Sequence, residues 1–465
     1  MEPFVTDPGP RFGPSDDEPV IAPAPEELTS DFLQRPFPEP RDPQPDAATV
    51  TLDNSEALLT DPIPDEESTA SVAADSATEL FRAEGLKLQV LGADIRFGLN
   101  TRFTYNDNIL ASATNPESDF VTLVTPTIVV GFGDIQERNR NFLLLEYAPT
   151  LQSYATRSDL DTIDQFLNLR ANYVLSRSTV SPLFRYVEQT DTDDQLGRRN
   201  RRTTLFAGLT TTYALTGKTA IQSGLTATGN ASEFGVNNEV YAANLFLLYQ
   251  LTPRTGLALG GSLGYVAIEG GDYQTFQTIN AKFTYEGSAK LTYGFTLGAE
   301  NRQSTTTVFS QTLVETGNPL VPFAFQLESN RETTNQLTPI FELTLRYQPF
   351  AATSINLLAF RRVQASSFQA GEIVNLTGLQ LSASQRLIQR VFLEVLARYE
   401  LNEYDFRQSD DRQDNIVIFQ PRLRYAFHDD EYSVSLFYSY RENQSTVQSV
   451  SYTNSIFGLE FDLDF

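Results

Sequence analysis

The sequence predicts an all-β fold: a transmembrane antiparallel up-and-down β-barrel of about 18 strands (about 16 is the nearest alternative), preceded by a disordered acidic Pro-rich N-terminal segment. Three observations predict it. From Leu86 to Phe465 apolar and polar residues alternate with a period of two, as in strands with one apolar face. The connections between these runs are alternately short and long. The chain closes on an alternating aromatic run that ends in Phe465. No stretch approaches 18 consecutive apolar residues, which excludes a helical membrane span but leaves a barrel, whose apolarity is hidden in alternation.

The first element is residues 1–85. They carry 20 acidic residues, four arginines and 14 of the chain's 24 prolines. Proline at this density blocks helix and ladder alike, and like charges repel, so the segment cannot bury enough apolar surface to offset its ordering entropy. We expect an extended arm, read as periplasmic, serving as a spacer or as a docking arm for a partner. The opening MEPFVTDPGP has neither a basic nor an apolar signal region, so the numbering is read as that of a mature form.

Residues 86–465 form the second domain. Strands are expected to begin near residues 93, 118, 141, 163, 179, 202, 217, 238, 254, 273, 288, 335, 352, 372, 389, 413, 431 and 451. Ile95, Phe97, Leu99, Phe103 and Tyr105 alternate with Asp94, Arg96, Asn100, Arg102 and Thr104. Leu167, Leu169, Ala171 and Tyr173 alternate with Asn168, Arg170 and Asn172. Phe341, Leu343, Leu345 and Tyr347 oppose Glu342, Thr344 and Arg346. The spacing is about 21 residues per strand and connection, the scale of a membrane-spanning strand with its turn.

The short connections include Ser176–Thr179, Thr216–Lys218, Thr252–Thr255 and Leu387–Arg390. The long ones include Glu188–Arg201, Ser304–Asn335, Asn402–Asn415 and Arg441–Ser449. All short turns then fall on the side of the termini, an asymmetry that outer-membrane barrels show between periplasm and exterior. Phe457, Leu459, Phe461, Leu463 and Phe465 alternate with Gly458, Glu460, Asp462 and Asp464. This run resembles the insertion signal that the barrel-assembly machinery reads at the C-terminus of outer-membrane proteins.

A barrel of this size encloses water. Parity assigns Glu146, Arg170, Arg185, Lys282, Glu342, Arg346, Glu394, Arg398, Gln420, Arg422, Arg424 and Glu460 to the lumen. Both signs occur, so the interior should be polar and weakly selective. Tyr105, Tyr186, Tyr347, Tyr399 and Tyr440 are candidates for the interfacial girdle, since the chain has no Trp. The segment 304–335 contains Val321, Phe323, Phe325 and Leu327 on alternate positions and is a candidate constriction loop or extracellular flap. Arg198, Arg199, Arg201 and Arg202 either meet lipopolysaccharide phosphates or face Asp191, Asp193 and Asp194.

Catalytic chemistry is not expected. There is no Cys, hence no disulfide, thiolate metal site or Cys nucleophile, and His428 is the single imidazole, in a short turn. The Gly260–Gly264 cluster lies inside a strand and is no phosphate loop. No cofactor or metal is expected. With 59 acidic against 34 basic residues the net charge is −25, which disfavours nucleic acid as a partner.

Beyond the generic barrel, Tyr105-Asn106-Asp107-Asn108-Ile109 follows the first strand, and the turns repeat a Leu-Ser/Thr-x-basic-Thr theme. That theme stands at Leu175–Thr179, Leu215–Thr219 and Leu251–Thr255. With Asp119-Phe120-Val121-Thr122 leading to Pro126, these motifs resemble the β-barrel porin 2 family over about residues 93–465. The resemblance implies a conduit for export of an extracellular or surface polysaccharide, working with a periplasmic polysaccharide-export protein. The residues alone leave open a diffusion porin for small solutes, or a structural or adhesion protein of the outer membrane.

Overall fold

Alternating sequence of this kind forms strands because Thr, Val, Tyr and Phe fit a pleated surface, and each residue then faces one side only. A computed structural model of the chain describes residues 88–90, 92–133, 141–288, 290–318, 321–405, 412–427 and 431–464; the side chains of 89–90 and 308–328 lie outside the description. Residues 1–85, His428 and Phe465 therefore also lie outside the described residues.

Eighteen strands make the wall. The first nine are β1 (Ala93–Asn106), β2 (Asp119–Gly133), β3 (Phe142–Tyr147, continued as Thr150–Tyr154), β4 (Thr162–Val174), β5 (Ser178–Asp193), β6 (Arg198–Ala214), β7 (Thr219–Ser232), β8 (Asn238–Thr252) and β9 (Thr255–Ile268). The other nine are β10 (Tyr273–Ser288), β11 (Leu291–Asn318), β12 (Val321–Phe350), β13 (Thr353–Ala365), β14 (Ile373–Ile388), β15 (Val391–Asp405), β16 (Arg412–Phe427), β17 (Tyr432–Ser445) and β18 (Tyr452–Asp464). Each pairs antiparallel with its sequence neighbours, and β18 returns to β1 from Gly98↔Asp464 to Asn106↔Ile456. The sheet is closed. A bilayer requires this, because an open edge would leave backbone groups unpaired in hydrocarbon.

Polarity is inverted relative to a water-soluble protein. Leu245, Leu259, Leu263, Ile279, Leu337 and Phe457 are exposed, while Arg96, Glu146, Arg302, Asp414, Arg441 and Glu460 are buried. The exposed apolar residues share the outer face and the buried polar ones the inner face, so the outside suits lipid and the inside suits water. At the rim of the apolar band tyrosines donate to polar neighbours nearer the mouth: Tyr186 to Glu188 at 2.9 Å, Tyr241 to Glu239 at 2.7 Å, and Tyr440 to Glu442 at 3.0 Å. A ring in the apolar band with its hydroxyl turned to water is the arrangement of an interfacial belt.

Three local features differ from the sequence expectation or refine it. Pro149 has no N–H to donate, so β3 breaks at Ala148 and Pro149, yet the register with β2 and β4 continues across the gap. The segment 304–335 is not a loop. It is the upper part of β11 and β12, paired rung by rung to Glu315↔Phe323 and, after a register shift, at Asn318↔Val321. Likewise Glu188–Arg201 and Arg441–Ser449 are mostly strand, running to Asp193, from Arg198, and to Ser445. Above the bilayer the outer face no longer needs apolar residues, and Thr-rich sequence keeps the ladder.

The turn theme and the Tyr105–Ile109 motif both have local explanations. In the Leu215 turn, Lys218 and Thr219 donate backbone N–H to Thr216 Oγ1 at 3.2 and 3.0 Å, and Arg254 donates to Thr252 Oγ1 at 3.2 Å. The second motif staples the barrel's closing seam. Asn108 Nδ2 donates to Thr453 O at 2.9 Å and Asp107 Oδ1 accepts from Ser455 N at 2.7 Å, both on β18.

Candidate functional site

The lumen is the site, and the register shows what lines it. Glu146, Arg170, Arg185, Lys282, Glu342, Arg346, Glu394, Arg398, Gln420, Arg422, Arg424 and Glu460 all project from the inner face. Most belong to one wall. Glu460 lies between Arg102 and Arg422 at 3.2 and 3.1 Å and accepts from Asn100 Nδ2 at 2.8 Å. Arg424 meets Glu394 at 3.4 Å, Arg398 meets Glu400 at 2.5 Å, and Arg412 meets Asp414 at 2.5 Å. Lys282 and Arg362 face Glu342. Arg185 sits opposite Asn168 and Phe206, Arg170 opposite Leu144, and Arg346 opposite Thr292 and Asn356.

The facing wall carries one cation within the band, Lys282 of β10, 4.2 Å over the Phe246 ring of β8. Within β6–β10 the inner face from Thr204 to Asn280 holds only hydroxyl, amide, small and apolar residues, among them Gln222, Thr226, Asn244 and Ser262. The lumen is therefore two-sided: an ion-paired wall faces a mostly neutral, hydrogen-bonding one.

Aromatic rings lie flat along the inner face and carry the cations. A side chain at Gly260 would collide with Phe246, one at Gly264 with Phe276, one at Gly378 with Phe360, and one at Gly458 with Phe437. Over the other face of these rings sit Lys282 at 4.2 Å, Arg302 at 5.0 Å, Arg362 at 4.7 Å, and the pair Arg102 and Arg422 at 5.3 and 5.8 Å from the ring centroids. A bare glycine lets the ring lie against the backbone, and the ring then attracts a guanidinium or ammonium to its free face. Of these cations, parity placed Lys282 and Arg422 in the lumen and left out Arg102, Arg302 and Arg362. It missed the rings, whose signal is the inner-face glycine on the adjacent strand.

The mouth is crossed by two connections, one within the Glu188–Arg201 stretch that the sequence marks as long and one, 366–372, that it does not single out. The tip of β5–β6, residues 194–197, turns inward: Asp194 meets Arg441 at 2.5 Å, and Asn443 Nδ2 donates to Asp194 O at 3.1 Å. The connection 366–372 between β13 and β14 also turns inward. Ser304 Oγ donates to Gly371 O at 2.8 Å, Val236 N to Ser367 O at 2.8 Å, and Gln274 Nε2 to Glu372 O at 3.2 Å. The two meet where Ser367 N and Oγ both donate to Gln195 Oε1 at 2.9 Å. Gly371, at φ 79°, has no room for a side chain against Thr306.

Below this crossing lies a cavity of about 480 Å³, within the range of small-molecule sites. Arg102, Arg199, Arg422, Glu394, Tyr154 and Phe437 line it, with many hydroxyls and amides between. Thr190, Asp191 and Thr192 of β5 also line it.

The remaining sequence candidates fall elsewhere. Phe457 and Leu459 are exposed on the outer face, and Phe461 meets Phe103 edge-on at 6.4 Å, while Leu463 pairs with Leu99 and Tyr432. Val321, Phe323 and Phe325 lie outside the described side chains; their backbone belongs to the β11–β12 ribbon, not to a constriction loop. The arginine cluster is engaged within the chain. Arg202 pairs with Asp191 at 3.0 Å and Arg201 with Glu188. Arg199 donates to Leu160 O at 2.9 Å, and Arg198 lies 3.7 Å over Phe234.

No protein-family model matches the chain, and no curated protein matches it. Among solved structures it is similar to Pseudomonas aeruginosa OccK2 (OpdF) in complex with glucuronate, at 10% identity and TM-score 0.43, over 80% of this chain and 98% of that one. Pseudomonas aeruginosa OpdK with vanillate matches at 11% identity and TM-score 0.41, over 80% and 99%. The Serratia marcescens hemophore receptor HasR, in complex with its hemophore HasA and heme, matches at 8% identity and TM-score 0.39, over 79% and 81%. Neither identity nor superposition is close enough to carry a solute over to this chain.

Proposed function

We propose that this outer-membrane β-barrel channel is a passive diffusion porin for small polar solutes, not an enzyme. The observation that carries the reading is the cavity of about 480 Å³ beneath a crossed mouth, where Arg102, Arg199, Arg422 and Glu394 stand among many hydroxyls and amides. Such a lining exchanges hydrogen bonds with a hydrated solute without holding it, so passage needs no energy source. The rings that could have formed an apolar track for a sugar polymer carry cations on their free faces, which argues for small solutes over a sliding chain. In this reading the acidic segment, residues 1–85, serves as a periplasmic spacer or docking arm.

The test is reconstitution of the full chain in liposomes, with swelling rates for sugars of increasing size and conductance in planar bilayers. Monosaccharide entry with exclusion of long oligosaccharides supports the reading. A closed bilayer trace with no swelling would refute it in favour of a structural or adhesion role. Loss of secreted polymer in a strain lacking the gene, restored by the wild-type barrel, would favour the polysaccharide-export conduit that the β-barrel porin 2 resemblance implies.

A further inference from the structure

The β5–β6 and β13–β14 hairpins stand eight strands apart on a circle of eighteen, almost diametrically opposite. Their connections nevertheless touch, so together they span the lumen. Each is fastened firmly at its own end. Asp194 is bound by Arg441, Asn443 and Tyr452 of β17 and β18, and Gly197, at φ 60°, lies so close to Val450 that no side chain fits. The 366–372 connection is held by Ser304, Gln274 and Val236, and Arg412 lies 4.9 Å over the Phe368 ring. Between these anchorages the two connections are joined through Gln195, whose single carbonyl oxygen accepts both donors of Ser367.

We propose that the Gln195–Ser367 junction sets the size-exclusion limit of the channel, with Gln195 and Ser367 as its specificity-determining residues. The inference rests on the channel reading and deepens it. Two neutral hydrogen bonds at one atom are the weakest link in a chain of contacts that otherwise includes an ion pair, backbone hydrogen bonds and close packing. A solute too large for either side of the span must part that link. Removing the Gln195 side chain parts it while leaving Asp194, Gly197 and the anchors of 366–372 in place. The two anchored connections then lose their shared contact, and the opening between them widens.

The chain has no Cys, so introduced thiols report the junction alone. The experiment compares wild type, Gln195→Ala, Ser367→Gly, and the double variant Gln195→Cys/Ser367→Cys. The last is bridged with a short bis-methanethiosulfonate and afterwards reduced. Each is reconstituted in liposomes and assayed by swelling in a glucose-to-stachyose series, with heat-modifiable gel mobility confirming a folded barrel. The expected result is at least a fivefold gain in the stachyose-to-glucose ratio for Gln195→Ala and Ser367→Gly. The bridged double variant should return to the wild-type ratio, and reduction should release it. Swelling with the same size limit in every variant, or failure of folded double-Cys protein to cross-link, overturns this proposal alone. No swelling in any solute, wild type included, overturns the channel reading and this proposal with it.

Discussion

Leu245 is the position at which the outer face can be tested most directly. It is the eighth of the fifteen residues of β8, it is 60% exposed, and Tyr241 and Tyr249 bracket it on the same face. Eight residues of strand rise roughly 27 Å, or about 20 Å of depth at the usual barrel tilt, so the two tyrosines mark the band's edges and Leu245 its midplane. Arg at a bilayer midplane costs about 2–4 kcal/mol, and near an interface about 0–1 kcal/mol. Leu245→Arg should therefore lower the folding equilibrium constant by roughly 30- to 900-fold. Leu251→Arg, on the same strand and face but beyond Tyr249, should change it by less than about tenfold. Urea titration of folding into lipid vesicles, read as the folded fraction on unheated gels, measures both. Equal costs at 245 and 251 would show that the tyrosines do not bound a lipid-facing band and that the outer face has been misassigned.

Three further outcomes are expected. Glu460→Gln leaves Arg102 and Arg422 without their shared carboxylate, so the reversal potential in a KCl gradient should move toward anions; no movement means these groups do not sense the permeating ions. Gly264→Ala forces a methyl into the Phe276 ring and should cost about 1–3 kcal/mol in the same urea assay, whereas Gly229→Ala, with open space around it, should cost far less; similar costs would discount the ring-on-glycine packing. Burial holds the Glu372 carboxyl above its ordinary value, against opposing contributions from Ser366 and Arg412 and with Asp414 and Asp405 nearby. The protonated form is thus favoured in the folded mouth, and its stabilisation is present at acid pH and lost as pH rises through the raised value. Cross-linking at 195 and 367 should therefore weaken with rising pH in the otherwise native chain and lose that dependence in Glu372→Gln; an identical pH profile in both would remove Glu372 from the account.

What the sequence could announce depended on what the environment demanded of each residue. Lipid enforces a rule on every outward position, so β8 shows Tyr241, Leu245, Leu247 and Tyr249 on one parity, and seventeen of eighteen strand starts lie within a few residues of where alternation places them. The exception is β12, which begins at Val321 and not near 335: Val321, Phe323, Phe325 and Leu327 do alternate, but the long polar stretches on either side led to a loop reading. The crossing of the mouth was illegible for a different reason. Gln195 and Ser367 are ordinary polar residues in connections of four and seven residues, and only closure of the sheet brings them to opposite sides of one opening. Length pointed instead to 304–335, where length turned out to be ladder.

The inner-face glycines explain how a charged wall can stay thin. Each guanidinium facing a lumen needs support, since a long side chain left free loses conformational entropy on being ordered. Here the support is a ring lying flat on a strand that has no Cβ beneath it, as where Gly458, Phe437 and the Arg102–Arg422 pair stack in that order. With Ala in place of Gly the ring would stand upright, narrow the lumen and lose the cation from its face. The glycines at 260, 264, 378 and 458 thus connect backbone geometry to lumen chemistry. They let the wall hold its cations close to itself, keep them paired with Glu460 and its like, and leave the space between the two walls to water and solute.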